Sequence, residues 1–223
     1  ELESYLRGRG GERIEELPLL RVENQPYIHY NKGSLVMYRL RDLFGEGPLN
    51  AALSRYIGRV AFQQPPYTTS LELLDALREA QPDTLAGVLV DLFETITLWD
   101  VRALGASWTA RDDGRYDVRL EVETRKYRAD GAGVETEVPI GDWIEVAVFG
   151  ERADGEPPEG RVLFLERRWI DSPASVIDVT VDAEPRRAGI DPFNRLIDRN
   201  PGNNTTAVAA PGRAGRGAPA SGR

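Results

Sequence analysis

The amino-acid sequence predicts an α+β protein, an N-terminal all-α helical domain followed by an antiparallel β-sandwich of immunoglobulin-like type. Two observations predict it. Over residues 1–98 apolar side chains recur every three or four positions; beyond them they alternate with polar ones. Glycine and proline clusters divide both parts into short elements. With 223 residues, of which 41% are hydrophobic, the chain has enough apolar material for a real core.

The elements follow in order. Glu1 to Arg7 is a short charged helix with Leu2, Tyr5 and Leu6 at helical spacing, ended by Gly8, Gly10 and Gly11. Residues 12–30, with Pro18 and Pro26, read as irregular. From Asn31, the residues Leu35, Val36, Leu40, Leu43 and Phe44 share one helix face, and Gly45 closes it. A helix from about Pro48 to Phe62 presents Leu49, Leu53, Ile57 and Val60. Thr69 with Glu72 three positions on is a capping box that opens a helix through Leu77. Thr84 to Ile96 reads as a fourth, very apolar helix.

The period then becomes two. Tyr116, Val118, Leu120 and Val122 alternate with Asp117, Arg119, Glu121 and Glu123, a half-buried strand. Asp112-Asp113-Gly114 makes Ala103 to Ala110 its hairpin partner. Val134–Val138, Trp143–Phe149, Arg161–Trp169 and Ser175–Val181 read as further strands, and strands of this length and spacing suggest a sandwich. The expected domains are residues 1–98 (helical), 99–186 (β-sandwich), 187–200 (an ordered extension with Phe193, Leu196 and Ile197) and 201–223, a disordered tail poor in periodic apolar residues.

Composition excludes several functions. The formal net charge is -8; residues 201–223 carry three arginines and no acid, so removing their +3 leaves -11 on the body. Such a body repels phosphate backbones, so no nucleic-acid partner is expected. Without cysteine there is no disulfide, thiolate metal site or cysteine nucleophile. With His29 as the one histidine, no two-histidine metal site can form within this chain. No run of 18 apolar residues suggests a membrane span, so the piece itself is expected to be soluble. The sequence begins at Glu1, its one methionine is Met37, and it reads as a piece of a longer product.

Residues 26–36 (Pro26-Tyr27-Ile28-His29-Tyr30-Asn31-Lys32-Gly33-Ser34-Leu35-Val36) are the densest candidate site. Two tyrosines and the histidine stand just before a helix, where a phenol hydroxyl can donate a hydrogen bond to developing negative charge. The alternative on the same residues is that these aromatics pack the turn. Lys32 in a first helical turn is expected to be solvated, His29 to be a structural residue, and Gly33 to permit close helix packing. Asp112-Asp113 reads as turn chemistry and Glu121 with Glu123 as the wet face of a strand. Trp143 and Trp169 read as sandwich core.

Tyr30-Asn31-Lys32-Gly33, then Ser34 to Val36, Leu40 and Leu43-Phe44-Gly45-Glu46, resembles the Tyr-x-Lys-Gly segment of zinc aminopeptidases of the aminopeptidase N type. The likeness continues through Leu53, Tyr56 and the capped helix from Thr69, and extends over about residues 1–200. Together with Glu1-Leu2-Glu3-Ser4-Tyr5-Leu6-Arg7-Gly8-Arg9, it is most similar to bacterial members fused to an ABC-transporter permease. The resemblance implies a C-terminal part of a metallopeptidase that removes N-terminal residues from peptides. Tyr30 would hydrogen-bond the tetrahedral intermediate. The zinc of the full-length parent would be held by an H-E-x-x-H motif and a further glutamate, none of which this chain contains. The family's strand that binds the substrate's free amine is missing too, so the isolated chain is expected to be inactive and to bind no metal. Its expected partners are the zinc-bearing half of the catalytic domain and, through the parent, a peptide. Self-association is expected where apolar helix faces lose that half. The parent is expected to be membrane-associated. The rival reading is a non-catalytic interaction module of a transporter-associated peptidase homologue.

Overall fold

The computed structural model describes residues 1–11, 14–156 and 158–210. It is mixed α/β, with helices in the N-terminal part and a β-rich remainder. The chain divides into two compact units. One comprises Glu1–Trp99, Lys126–Val138 and Arg195–Arg199; the other comprises Asp100–Arg125, Pro139–Asn194 and the chain from Asn200.

Among the described residues the first unit holds four α-helices, α1 (Leu2–Gly11), α2 (Gly33–Phe44), α3 (Glu46–Val60) and α4 (Ser70–Arg78). The expected stop at Gly8 is not observed: α1 runs on through Gly8, whose missing side chain lets Tyr27 approach. A Cβ there would lie 2.6 Å from the Tyr27 Cβ. Gly45, at φ 86°, ends α2 as expected. α4 opens on its capping box, the Thr69 N–H donating to Glu72 Oε2 at 2.9 Å. Val36, Leu40, Leu74 and Leu77 are fully buried, and with Leu43 and Phe44 they form the core of the helices.

The segment read as a helix over 84–96 is different. It contains a 3₁₀ turn at Asp83–Leu85 and a π-helical turn at Val90–Glu94, and Ile96 already belongs to a strand. Helical turns thus hold the segment as far as Glu94, and its last residue starts a strand, since a short buried apolar run does not distinguish helix from strand by period. That strand is β1 (Ile96–Ala110), whose first residues Ile96 to Trp99 are all buried. Beside them Trp99 N–H donates to Ile197 O at 3.0 Å and Arg199 N–H to Trp99 O at 2.9 Å. The same unit contains the end of β2 (Tyr116–Ala129) paired antiparallel with β3 (Glu135–Val138), Lys126 opposite Val138.

The second unit is built from the rest of β1 and β2 with β4 (Asp142–Phe149), β5 (Val162–Ile170), β6 (Ala174–Val181), β7 (Arg187–Ile190) and β8 (Thr205–Ala209). Its strand order is β6-β2-β1-β8-β7-β4-β5. The turn at Asp112–Gly114 is where the sequence puts it, with Arg111 N–H donating to Arg115 O at 2.8 Å and Gly114 at φ 83°. β2 shows the expected alternation: Val118, Leu120 and Val122 are buried, and stand in register with Val179, Ile177 and Ser175 of the antiparallel β6. β4 pairs with β5 on one edge and β7 on the other, and is buried over most of its length.

Two expectations are corrected here. The sheet is mixed, because β1 and β8 pair in parallel, Ala106 with Val208 and Ser107 with Ala209. And the tail read as disordered over 201–223 contains a 3₁₀ turn, Pro201–Asn203, and then β8. β8 gains its main-chain bonds from β7 and β1, so it needs little apolar character of its own. Residues 211–223 lie outside the described residues. The boundary also differs from the expected 98/99 division, since 126–138 and 195–199 belong with the helices.

Candidate functional site

Tyr27 to Tyr30, expected to be irregular, form with Asn31 and Lys32 a π-helical turn that leads directly into α2. Pro26 stands at its N-cap, and the His29 N–H donates to Gln25 O at 3.2 Å. At its end the Gly33 N–H donates to the carbonyls of Ile28 and Tyr30. The wider turn sets the phase of the side chains: Tyr27, Ile28 and Lys32 face inward and His29 and Tyr30 outward. Tyr30 is 70% exposed, and its ring lies 4.4 Å from that of His29. The chemistry expected of Tyr30, a free phenol hydroxyl, is therefore presented to the surface. The alternative in which Tyr30 packs the turn is not what is observed; Tyr27 does that instead, 6.1 Å from the ring of Tyr5. Gly33 makes no close approach, a Cβ there meeting only ordinary contacts at 3.8 Å or more.

Lys32 is the correction that matters most. Expected to be solvated, its side chain is wholly buried. It lies four residues beyond Ile28, on the inward face, and this spacing was the signal in the sequence. Its Nζ donates to the Thr95 carbonyl at 3.4 Å and sits 5.7 Å from the centre of the Tyr5 ring. Thr95 closes the second π-helical turn, its N–H donating to Val90 O at 3.0 Å. Two π turns thus meet at one lysine. The Lys32 pKa is lowered to about 8, first by removal from water, with the Glu16 carboxylate opposing and the nearby Arg9 guanidinium adding to the fall.

Below this lies a buried polar chain. Tyr5 Oη donates to Glu16 Oε1 at 2.5 Å, and Arg9 Nε donates to Glu16 Oε2 at 2.6 Å. Arg9 also reaches Glu135 at 3.4 Å. Burial first, then the Glu16 charge, raises the Tyr5 phenol well above its ordinary range. A second buried group joins Asp91 to Lys126, to Arg128 at 3.1 Å and to Thr97 at 3.4 Å, with the Lys126 ammonium 5.4 Å from the Trp99 ring centre.

Two concavities lie elsewhere in this unit. One of about 540 Å³ runs between α3 and α4, lined by Tyr56, Arg59, Glu72, Asp75 and Glu79. The other, about 290 Å³, is lined by Arg9, Glu15, Glu16, Tyr27 and residues 131–133. Tyr30 lines neither. Among the described residues no group of three or more His, Cys, Asp or Glu side chains is placed to hold a metal ion. The residues present therefore do not fit the zinc that the resemblance implies, and no chemical step of this chain is routed through it. No helix among the described residues is long and apolar enough to cross a membrane. In the second unit Trp143 and Trp169 stand edge to face at 5.7 Å, but Trp169 is half exposed rather than core. Asp113 and Glu121 lie on the surface; Arg115 bonds hold the Asp113 carboxyl down to about 2.

No family model matches the chain, and no curated protein does.

Proposed function

We propose that this chain is the C-terminal part of a zinc-dependent aminopeptidase, supplying Tyr30 to a catalytic centre whose metal ligands belong to another part of the parent. The observation that carries the proposal is the π-helical turn at Tyr27–Lys32, which holds Tyr30 70% exposed while a wholly buried Lys32 fixes the backbone beneath it. A rigid turn with one outward phenol suits a donor waiting for an oxyanion that arrives from outside the chain. The resemblance of Tyr30-Asn31-Lys32-Gly33 supplies the reaction class, removal of N-terminal residues from peptides. In this reading the second unit is the counterpart of the immunoglobulin-like sandwich that follows the helical part in such enzymes. The parent is a membrane-associated protein like the members fused to a transporter permease.

On this reading the Tyr30 hydroxyl donates a hydrogen bond to the tetrahedral oxyanion and keeps its own proton. Its contribution falls on turnover rather than on substrate affinity. Tyr30→Phe in the zinc-bearing parent lowers kcat by roughly 10²–10³, about 3–4 kcal/mol, with KM little changed. Unchanged turnover overturns the role of Tyr30. The isolated chain does not hydrolyse an amino-acid anilide, and chelator-sensitive hydrolysis by the purified chain overturns the assignment of the metal to the rest of the parent.

A further inference from the structure

β5 is the last strand of its path, and among the described residues it pairs with β4 alone. Its other edge offers a row of main-chain N–H and C=O groups, a template for another strand. The strand is nine residues long with no proline or glycine, and every side chain from Leu165 to Trp169 is exposed. Long exposed edges of this kind are either blunted or used. Here the side chains are arranged so that the strand is its own complement.

We infer that β5 is the surface by which two copies of this chain associate, edge to edge and antiparallel, about a two-fold axis through Arg167. In that register Glu166 of each copy faces Arg168 of the other, Leu165 faces Trp169, and Phe164 faces Ile170. Each pairing occurs twice, as two-fold symmetry demands. The paired positions differ by even numbers, so every side chain keeps its face of the sheet. The meeting of Arg167 with its copy is the single opposing contact. Arg167 stands in register with Glu145 of β4, which brings a carboxylate next to that pair.

Other registers are worse. An axis through Glu166 would set Glu166 against its copy and Leu165 against Arg167. An axis through Leu165 would set Phe164 against Glu166 and Leu163 against Arg167. Within one copy Glu166 and Arg168 already form an ion pair at 2.9 Å, with both side chains about half exposed. Such exposed pairs contribute little, so exchanging partners across the axis costs little. The copies gain a new row of main-chain hydrogen bonds and two kinds of apolar cross-strand contact, each made twice.

The test uses the full chain and measures mass by light scattering over a concentration series. Wild type passes from monomer to dimer as concentration rises. Glu166→Arg and Arg168→Glu, each alone, stay monomeric where wild type is dimeric, because each sets like charges opposite one another. Mixed in equal amounts, the two variants form a heterodimer, since each supplies the charge the other lacks. A monomeric wild type, a monomeric mixture, or a dimer that survives both substitutions overturns the inference; the last result would place self-association on the helices. Hydrogen exchange on unaltered protein gives an independent check. The amides of Val162–Ile170 slow as concentration rises, and concentration-independent exchange there overturns the inference as well.

Discussion

Lys32 Nζ donates a hydrogen bond to the Thr95 carbonyl, 63 residues along the chain, and so fastens the turn carrying Tyr30 to the turn that precedes β1. This bond is long, 3.4 Å, and it is made by a group held almost entirely away from water.

The consequence is a stability that rises with pH. The folded Lys32 releases its proton at about 8 and the unfolded one at 10.5. Between these values the unfolded chain binds the extra proton, so raising the pH favours the folded state by up to ~1.4 kcal/mol per pH unit. Tyr5 acts in the opposite sense, and only above its ordinary 10: its raised phenol keeps a proton that the unfolded chain has lost. The window to measure is therefore pH 8–10. Urea denaturation there shows wild type gaining stability relative to Lys32→Met; parallel pH profiles would contradict the burial of the charge.

Gly8 and Gly10 lie in the same helix but answer differently to alanine. At Gly8 the new Cβ would sit 2.6 Å from the Tyr27 side chain; at Gly10 it would meet nothing within 4 Å. Gly8→Ala is expected to cost about 1–3 kcal/mol through overpacking, enough to exceed its gain in helix propensity. Gly10→Ala is expected to stabilise by up to about 1 kcal/mol. Denaturation midpoints that move in the same direction would show that Tyr27 can give way.

Asp91 accepts from Lys126 and Arg128 at once. Asp91→Asn takes the negative charge from beside the buried Lys126, an expected loss of roughly 3–5 kcal/mol. Arg128→Gln, at the half-exposed side of the same carboxylate, is expected to cost under ~1 kcal/mol. Equal losses would mean that the two cations share the carboxylate evenly.

Gly189 of β7 lies close against the chain that enters β8. A Cβ there would lie 2.3 Å from the Asn204 carbonyl oxygen and 2.9 Å from the Thr205 Cα. These are main-chain atoms, so Gly189→Ala is expected to push β8 off β7 rather than rotate a side chain. Limited proteolysis should then cut within residues 200–210, a region expected to resist in wild type.

Local chemistry was legible in the sequence. Thr69 and Glu72 marked the start of α4 because a capping box needs only residues three apart, and Asp112-Asp113-Gly114 marked its hairpin because the turn needs only its own glycine. The exposure of Tyr30 was left open by the sequence, since it depends on the phase of the π-helical turn that carries it. What depends on distant partners was not legible. β8 reads as featureless because its order comes from bonds to β7 and β1, and Ile96 reads as the end of a helix rather than the start of β1 because a strand buried on both faces loses its alternation. Lys32 misled because its type suggests water while its phase in the turn points inward, and phase won.

The path of the backbone through the two compact units has a bearing on how this protein can be taken apart. The polypeptide passes from one to the other at 99/100, 125/126, 138/139, 194/195 and 199/200, and the second of these crossings falls inside the unbroken strand β2. Neither unit is a contiguous stretch that a gene could gain or lose in one event. A stop codon after residue 98 would strip the helices of the hairpin that brings Lys126 to Asp91, and a start at residue 99 would leave that hairpin's Lys126 without its carboxylate. The helical and β-rich halves are thus inherited together or not at all, and a chimaera that swaps one for a homologue's must splice at five points rather than one.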